Sequence, residues 1–183
     1  MNITLIGMAG AGKSYIGKAL AKKYGFRFID IDSVIEQNSG KKLKNVVSEL
    51  GDRKFIKLEQ KTVLALKKPE GAVISPGGSI IYSGQAMKFL LKLGPVIFLK
   101  VPFSVIEKRV PDFEERGLIR FSHTSLKSLY GERLPLYKKY SHATVSIPSG
   151  LGVKEAVCKV YMAARKKAKT LDLVCRTRVD SQR

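Results

Sequence analysis

Residues Gly7-Met8-Ala9-Gly10-Ala11-Gly12-Lys13-Ser14 reproduce the spacing G-x-x-x-x-G-K-[ST], and that spacing carries a chemistry. Glycines permit the tight turn that aims successive backbone N–H groups at one point, and a helix starting near Lys13 adds the positive end of its dipole. A polyphosphate fits such a cradle. Lys13 would reach the β- and γ-phosphates, and the Ser14 hydroxyl would face a magnesium ion. The segment Gly10, Ala11, Gly12, Lys13, Ser14 and Tyr15 is therefore expected to bind ATP or GTP.

Magnesium-dependent phosphoryl transfer also needs a carboxylate near the metal and a proton acceptor near the attacking hydroxyl. The elements that would position them can be read from periodicity. Apolar runs at 3–6, 26–29, 72–75, 96–99 and 144–147 alternate with amphipathic stretches at 13–24, 33–37, 43–50, 53–67, 84–92, 103–109, 125–140 and 153 to about 167. Strands separated by helices predict an α/β fold with a parallel sheet covered on both faces, whose ligands collect beyond the carboxyl ends of the strands. Those ends lead into the glycine loop, Pro76-Gly77-Gly78-Ser79, Lys100 and Pro148; only the run ending at Ile29 is followed by acids, Asp30 and Asp32. Alternate residues of an extended segment project to one side. Asp30 is thus expected in the magnesium shell, through water, and Asp32 at the accepting hydroxyl. The same pair can also be read as a helix start, with Asp32 as N-cap of 33–37.

Composition narrows the classes. With 183 residues and 44% hydrophobic content the chain makes one domain, residues 1–168, followed by a basic stretch, 169–183, expected to be a flexible tail because its periodicity fades. The net charge of +19 comes from lysines and arginines scattered through nearly every segment, which argues for a solvated basic surface and against a nucleic-acid partner. No stretch reads as a membrane span or export signal, so a cytoplasmic location is expected. Cys158 and Cys175 lack metal spacing and read as a buried small hydrophobe and a tail thiol. A monomer acting on a small molecule is the expected form.

Further residues carry a resemblance. Asp30-Ile31-Asp32 with Ile35-Glu36 resembles the D-x-D-x-x-I-E signature of the shikimate kinases; Gly40, Gly51-Asp52, Phe55 and Glu59 follow in that family's order. Pro76-Gly77-Gly78-Ser79 stands where the family has a glycine triplet, Arg116-Gly117-Leu118-Ile119 resembles its lid, and Arg133-Leu134-Pro135-Leu136-Tyr137 its R-x-P-L-Y segment. The likeness runs from Met1 to about Lys167. It implies a P-loop NTPase fold with a five-stranded parallel sheet and mobile lid, ATP and magnesium as cofactors, and phosphoryl transfer to a hydroxyl of a small cyclic acid. Asp32 would hold that hydroxyl and Arg133 the substrate carboxylate, with the Gly77 and Gly78 amides assisting. Arg116 would bring charge on the lid, and Lys108 and Arg109 would stack on adenine.

Two departures stand out. Ile56 occupies the place of a family arginine that grips the carboxylate, and Ser79 replaces the last glycine of the triplet. Arg53, three residues earlier on the helix, is expected as the stand-in. Shikimate is the expected acceptor, another hydroxy acid such as gluconate or homoserine the alternative. A nucleotide-binding regulatory module contacting a polyanion is the non-enzymatic alternative; it has no use for the set Asp30, Asp32, Arg116 and Arg133.

Overall fold

The structure, a computed structural model, describes residues 1–67, 69–111, 118–121, 123 and 125–180, with side chains as far as residue 171. In chain order the elements are β1 (Ile3–Ile6), α1 (Lys13–Tyr24), β2 (Arg27–Asp30), α2 (Ile31–Ser39), α3 (Leu43–Leu64) and β3 (Ala72–Ser75), followed by a single 3-10 turn (Ile80–Tyr82). There follow α4 (Gly84–Leu93), β4 (Val96–Lys100), α5 (Phe103–Arg109), α6 (Leu126–Lys139), β5 (Ala143–Ser146) and α7 (Val153–Asp180). The five strands form one parallel sheet in the order β2-β3-β1-β4-β5. Every predicted strand is present to within one residue. β1 and β3 are buried throughout, as both faces of a helix-covered sheet require, while the edge strands β2 and β5 stay partly exposed.

The strand order creates the crevice. From β1 the chain crosses past β3 to reach β2, then returns to the other flank for β4, so the loops leaving β1, β2 and β3 open onto one edge of the sheet. Close packing sharpens the convergence. A Cβ at Gly17 would lie 2.6 Å from the Phe28 ring, so this glycine lets α1 approach β2 more closely than any other residue would.

Three boundaries differ from expectation. α2 begins at Ile31 rather than Ser33, and Asp30, not Asp32, is its N-cap: the Asp30 carboxylate accepts from the Asp32 backbone N–H at 3.2 Å. The extended segment ends one residue earlier than strict alternation requires. In α3 the two predicted helices run on through Gly51, whose non-helical backbone (φ 70°, ψ 166°) kinks the axis between them. α7 continues to Asp180, well past about residue 167, because no glycine or proline interrupts it. Cys158 is exposed rather than buried. The buried stripe of α7 passes through Ala156, Val157, Val160 and Ala164 and leaves position 158 on the outer face. Among the described residues no helix is long and apolar enough to cross a membrane.

Candidate active site

The loop after β1 has the backbone that its glycines predict. Gly10 (φ 77°) and Gly12 (φ 86°) take the left-handed conformation, and Gly12 serves as N-cap of α1. The Lys13 ammonium folds back over the loop and donates to the carbonyls of Gly7 at 3.0 Å and Met8 at 3.2 Å. Burial holds its pKa below the usual lysine value, against the opposing pull of Asp32, Glu59 and Asp30. Arg109, at the end of α5, donates from Nη1 to the Gly10 carbonyl at 3.0 Å, which ties that helix to the loop. Tyr15 turns its ring to solvent. Its backbone N–H, in the first turn of α1, is the part that faces the cradle.

The acids come to this loop from β2 and α2. Ser14 Oγ donates to Asp30 Oδ2 at 2.7 Å, so hydroxyl and carboxylate already form one oxygen cluster. Asp32 lies in the first turn of α2 and points toward the segment after β3. Its Oδ1 is buried without a hydrogen-bond partner, and loss of water pushes its pKa up to about 6, with Lys13 opposing and Asp30 and Glu36 adding to the rise.

Gly77 sits between Asp32 and an acid that sequence patterns alone did not place in the site. A Cβ at Gly77 would lie 2.6 Å from Glu59 Oε1 and 2.9 Å from Asp32 Oδ1. No side chain fits there. Gly77→Ala is expected to cost about 1–3 kcal/mol of stability by overpacking, read as a lowered melting temperature. It should also depress turnover, because the two carboxyl groups must separate. Glu59 is wholly buried, takes the Ser79 hydroxyl on Oε2 at 2.7 Å, and has a pKa pushed up to about 7 by burial, with Asp32 adding to the rise.

On the opposite side, Arg133 is 1% exposed, yet no described acid forms an ion pair with it. Its Nη2 donates to the Ile119 carbonyl at 2.5 Å and Nε to the Tyr82 hydroxyl at 3.3 Å. Nη1 lies beside Gly78, 3.2 Å from where a Cβ would stand. Tyr137 completes this wall, donating to the Gly78 carbonyl at 2.7 Å. The structure thus gathers Lys13, Ser14, Asp30, Asp32, Gly77, Gly78 and Arg133 around one crevice. Arg53 is exposed near the start of the second half of α3, with no ion pair to these residues among those described. Ile56 is half-buried and packs on the core. Arg116 and Gly117 lie outside the described residues. A few positions further along the chain, Arg120 and Phe121 are pinned to α3 by backbone N–H bonds to Asp52 Oδ2 at 3.1 and 2.5 Å.

Two residues that build the site left a readable trace. Phe55, Glu59 and Val63 form one buried stripe, as do Leu126, Leu129, Arg133 and Tyr137. A charged residue in an apolar stripe is the signal, because burying it requires a structural or chemical reason. Ser79 stood out only as a departure from the family triplet; its bond to Glu59 joins segments 20 residues apart.

A glycine loop before a helix, facing acids from the next strand on a parallel sheet of this order, defines a small-molecule kinase of the P-loop class. Comparison with known proteins narrows the class. The family model for shikimate kinase matches residues 9–162. A shikimate kinase from Persephonella marina is 36% identical over 136 residues, spanning 74% of this chain and 83% of the relative. The crystal structure of shikimate kinase from Aquifex aeolicus superposes with a TM-score of 0.76 at 29% identity, covering 89% of this chain and 95% of that one. The Acinetobacter baumannii shikimate kinase, solved in complex with shikimate, gives 0.73 at 26% identity over 96% of this chain and 93% of that one. The chain belongs to the shikimate kinase family.

Proposed function

We propose that this protein transfers the γ-phosphoryl group of ATP to a hydroxyl of shikimate. The observation that carries the reading is that the Lys13 ammonium and the buried Asp32 carboxylate feel each other's charge, with Gly77 against Asp32 and Gly78 against the Ala9 backbone of the loop, so that a phosphate cradle and a carboxylate share one crevice.

The residues fit the groups that the reaction needs. Glycine-loop amides and Lys13 suit a triphosphate, and the Ser14 hydroxyl with the Asp30 carboxylate offers the hard oxygen ligands that magnesium prefers, leaving room for its waters. Magnesium there would neutralise phosphate charge. Asp32 orients the accepting hydroxyl and takes its proton as the oxygen bonds to phosphorus, a role suited to a carboxylate whose raised pKa of about 6 lies near working pH. Lys13 remains on the phosphate oxygens as charge spreads over them. The bridging bond breaks toward the leaving ADP. Arg109, already on the Gly10 carbonyl, borders the nucleotide side.

For the acceptor, Arg133 Nη1, beside Gly78, and the Gly78 backbone supply the carboxylate grip. Ile56 contributes none, so among the described residues placed in the crevice the grip falls to Arg133. Arg133→Met is expected to raise the acceptor KM by about 10- to 100-fold, the loss of a charge-assisted bond of about 1.5–3 kcal/mol, while the ATP KM holds. Steady-state kinetics with each substrate varied in turn checks this. Arg53→Ala, by contrast, should leave the acceptor KM unchanged, since its side chain is exposed and forms no ion pair with the described site residues. The function itself is tested by ADP release with ATP, magnesium and a panel of shikimate, gluconate and homoserine. Turnover is expected with shikimate; turnover confined to another acceptor would reject it as the substrate.

A further inference from the structure

Arg133 is buried, and no described acid forms an ion pair with it, yet its guanidinium is well supplied with acceptors. Three neutral oxygens surround it. Nη2 donates to the Ile119 carbonyl at 2.5 Å and Nε to the Tyr82 hydroxyl at 3.3 Å, while the Tyr137 hydroxyl lies against it with its own hydrogen on the Gly78 carbonyl at 2.7 Å. A phenol has one hydrogen to give. That of Tyr82 goes to Glu132 Oε1 at 2.5 Å, so towards Arg133 the Tyr82 oxygen acts only as an acceptor.

The bond from Tyr82 to Glu132 has its own frame. Glu132 precedes Arg133 in α6, and neighbours on a helix do not face each other: Arg133 lies on the buried stripe, whereas Glu132 keeps 39% of its side chain in water. Tyr82, on the 3-10 turn, reaches both. His123 Nε2 bonds the other carboxylate oxygen, Glu132 Oε2, and Ser128 Oγ lies 3.1 Å from Nδ1 of the same ring. The Phe121 and Tyr82 rings meet edge to face, with centroids 5.0 Å apart and planes at 88°. The Tyr82 hydroxyl lowers the Glu132 pKa and keeps the carboxylate ionised, while burial and Glu132 raise the Tyr82 pKa and keep its hydrogen in place.

We propose that Tyr82 is a positioning and specificity-determining residue for the acceptor: its phenol oxygen, with the hydrogen drawn off to Glu132, orients the Arg133 guanidinium without neutralising it. A carboxylate set directly on Arg133 would hold it too, but would compete with the acceptor's own carboxylate for the same charge. Placing the acid one phenol further out removes that competition. It also leaves the acid in water, where its charge costs little. The inference deepens the proposed grip of Arg133 on the acceptor and rests on it. Selection of acids over neutral alcohols follows, because the buried cation lacks a counter-charge among the described residues until an anion arrives.

Tyr82→Phe removes the oxygen and keeps the ring. We expect its KM for shikimate to rise about 3- to 30-fold, with kcat and the ATP KM close to the parent's. Glu132→Ala should raise the shikimate KM as well, by releasing the Tyr82 hydroxyl, and Glu132→Gln, whose amide oxygen accepts the same hydrogen, should bring it back towards the parent. Glu132 acts through Tyr82, so adding Glu132→Ala to Tyr82→Phe should raise the KM no further. An unchanged shikimate KM in Tyr82→Phe, losses spread equally over kcat and the ATP KM, or a double variant whose effects add, would overturn the proposal. A second measurement needs no acceptor. In protein with nitrogen-15 arginine, the Arg133 Nε–H resonance, identified by its absence from Arg133→Met and Arg133→Lys, should shift and exchange faster with water in Tyr82→Phe. A resonance that stays in place overturns the proposal; one that moves while shikimate is not phosphorylated upholds Tyr82 and assigns the failure to the choice of acceptor.

Discussion

Lys13→Ala is expected to lower turnover by about 10²–10³-fold, the usual cost of removing one preorganised donor from a site where charge develops. The melting temperature should stay close to that of the parent. Both outcomes come from one geometry. Among the described residues the ammonium bonds to the Gly7 and Met8 carbonyls alone, contacts that a phosphate oxygen would replace. Burial already disfavours its charge in the folded protein, which offsets what those bonds contribute to stability. Steady-state kinetics with a thermal melt on the same sample checks both halves. Activity within about tenfold of the parent would mean that Lys13 does not reach the transferring group.

Asp32→Asn should produce a comparable or deeper loss, about 10²–10⁴-fold in kcat, because the amide cannot take the acceptor's proton. It should also stabilise the fold at neutral pH and above. The Asp32 pKa is raised from 3.8 in the unfolded chain to about 6 in the folded protein. A carboxyl shifted in that direction stabilises the folded state in its protonated form, fully below about pH 4 and not at all once pH has risen through about 6. At pH 8 the ionised, buried group weighs against the fold by roughly 3 kcal/mol, and asparagine removes that load. The melting temperature of the variant should exceed the parent's at pH 8, and the gain should fade as pH approaches 4. Such opposition between activity and stability marks a residue retained for chemistry. An active variant, or one whose stability relative to the parent ignores pH, contradicts the assignment.

The sheet was legible because its strands are buried. Ile3 to Ile6, broken only by the buried Thr4, and Ala72 to Ile74 are mainly apolar runs, and the intervening helices fix their parallel order. The phosphate loop was legible because its chemistry is local: three glycines and a lysine within eight residues determine both backbone and function. The acids were found by a partly mistaken argument. Asp30 and Asp32 do face the loop, but not as alternate residues of a strand; one ends β2 and caps α2, and the other rides on its first turn. Arg53, read as the stand-in for the family arginine, follows the kink at Gly51 and is exposed, while Ile56 one turn later packs on the core. Arg133 came through the family resemblance, whereas Glu59, a charge on a stripe that the structure shows to be buried, was not placed in the site from the sequence. The bond from Ser79 to Glu59 is purely tertiary, and no local pattern announces it.

The central claim is that a triphosphate in the loop and an acceptor at Asp32 meet in one crevice. A crystal structure with a non-hydrolysable ATP analogue, magnesium and shikimate tests it most directly. The account predicts a shikimate hydroxyl within hydrogen-bond reach of Asp32, facing the terminal phosphate, with the shikimate carboxylate on Arg133. Shikimate bound elsewhere, or the Asp32 carboxylate turned away from the acceptor and the phosphate, would contradict it.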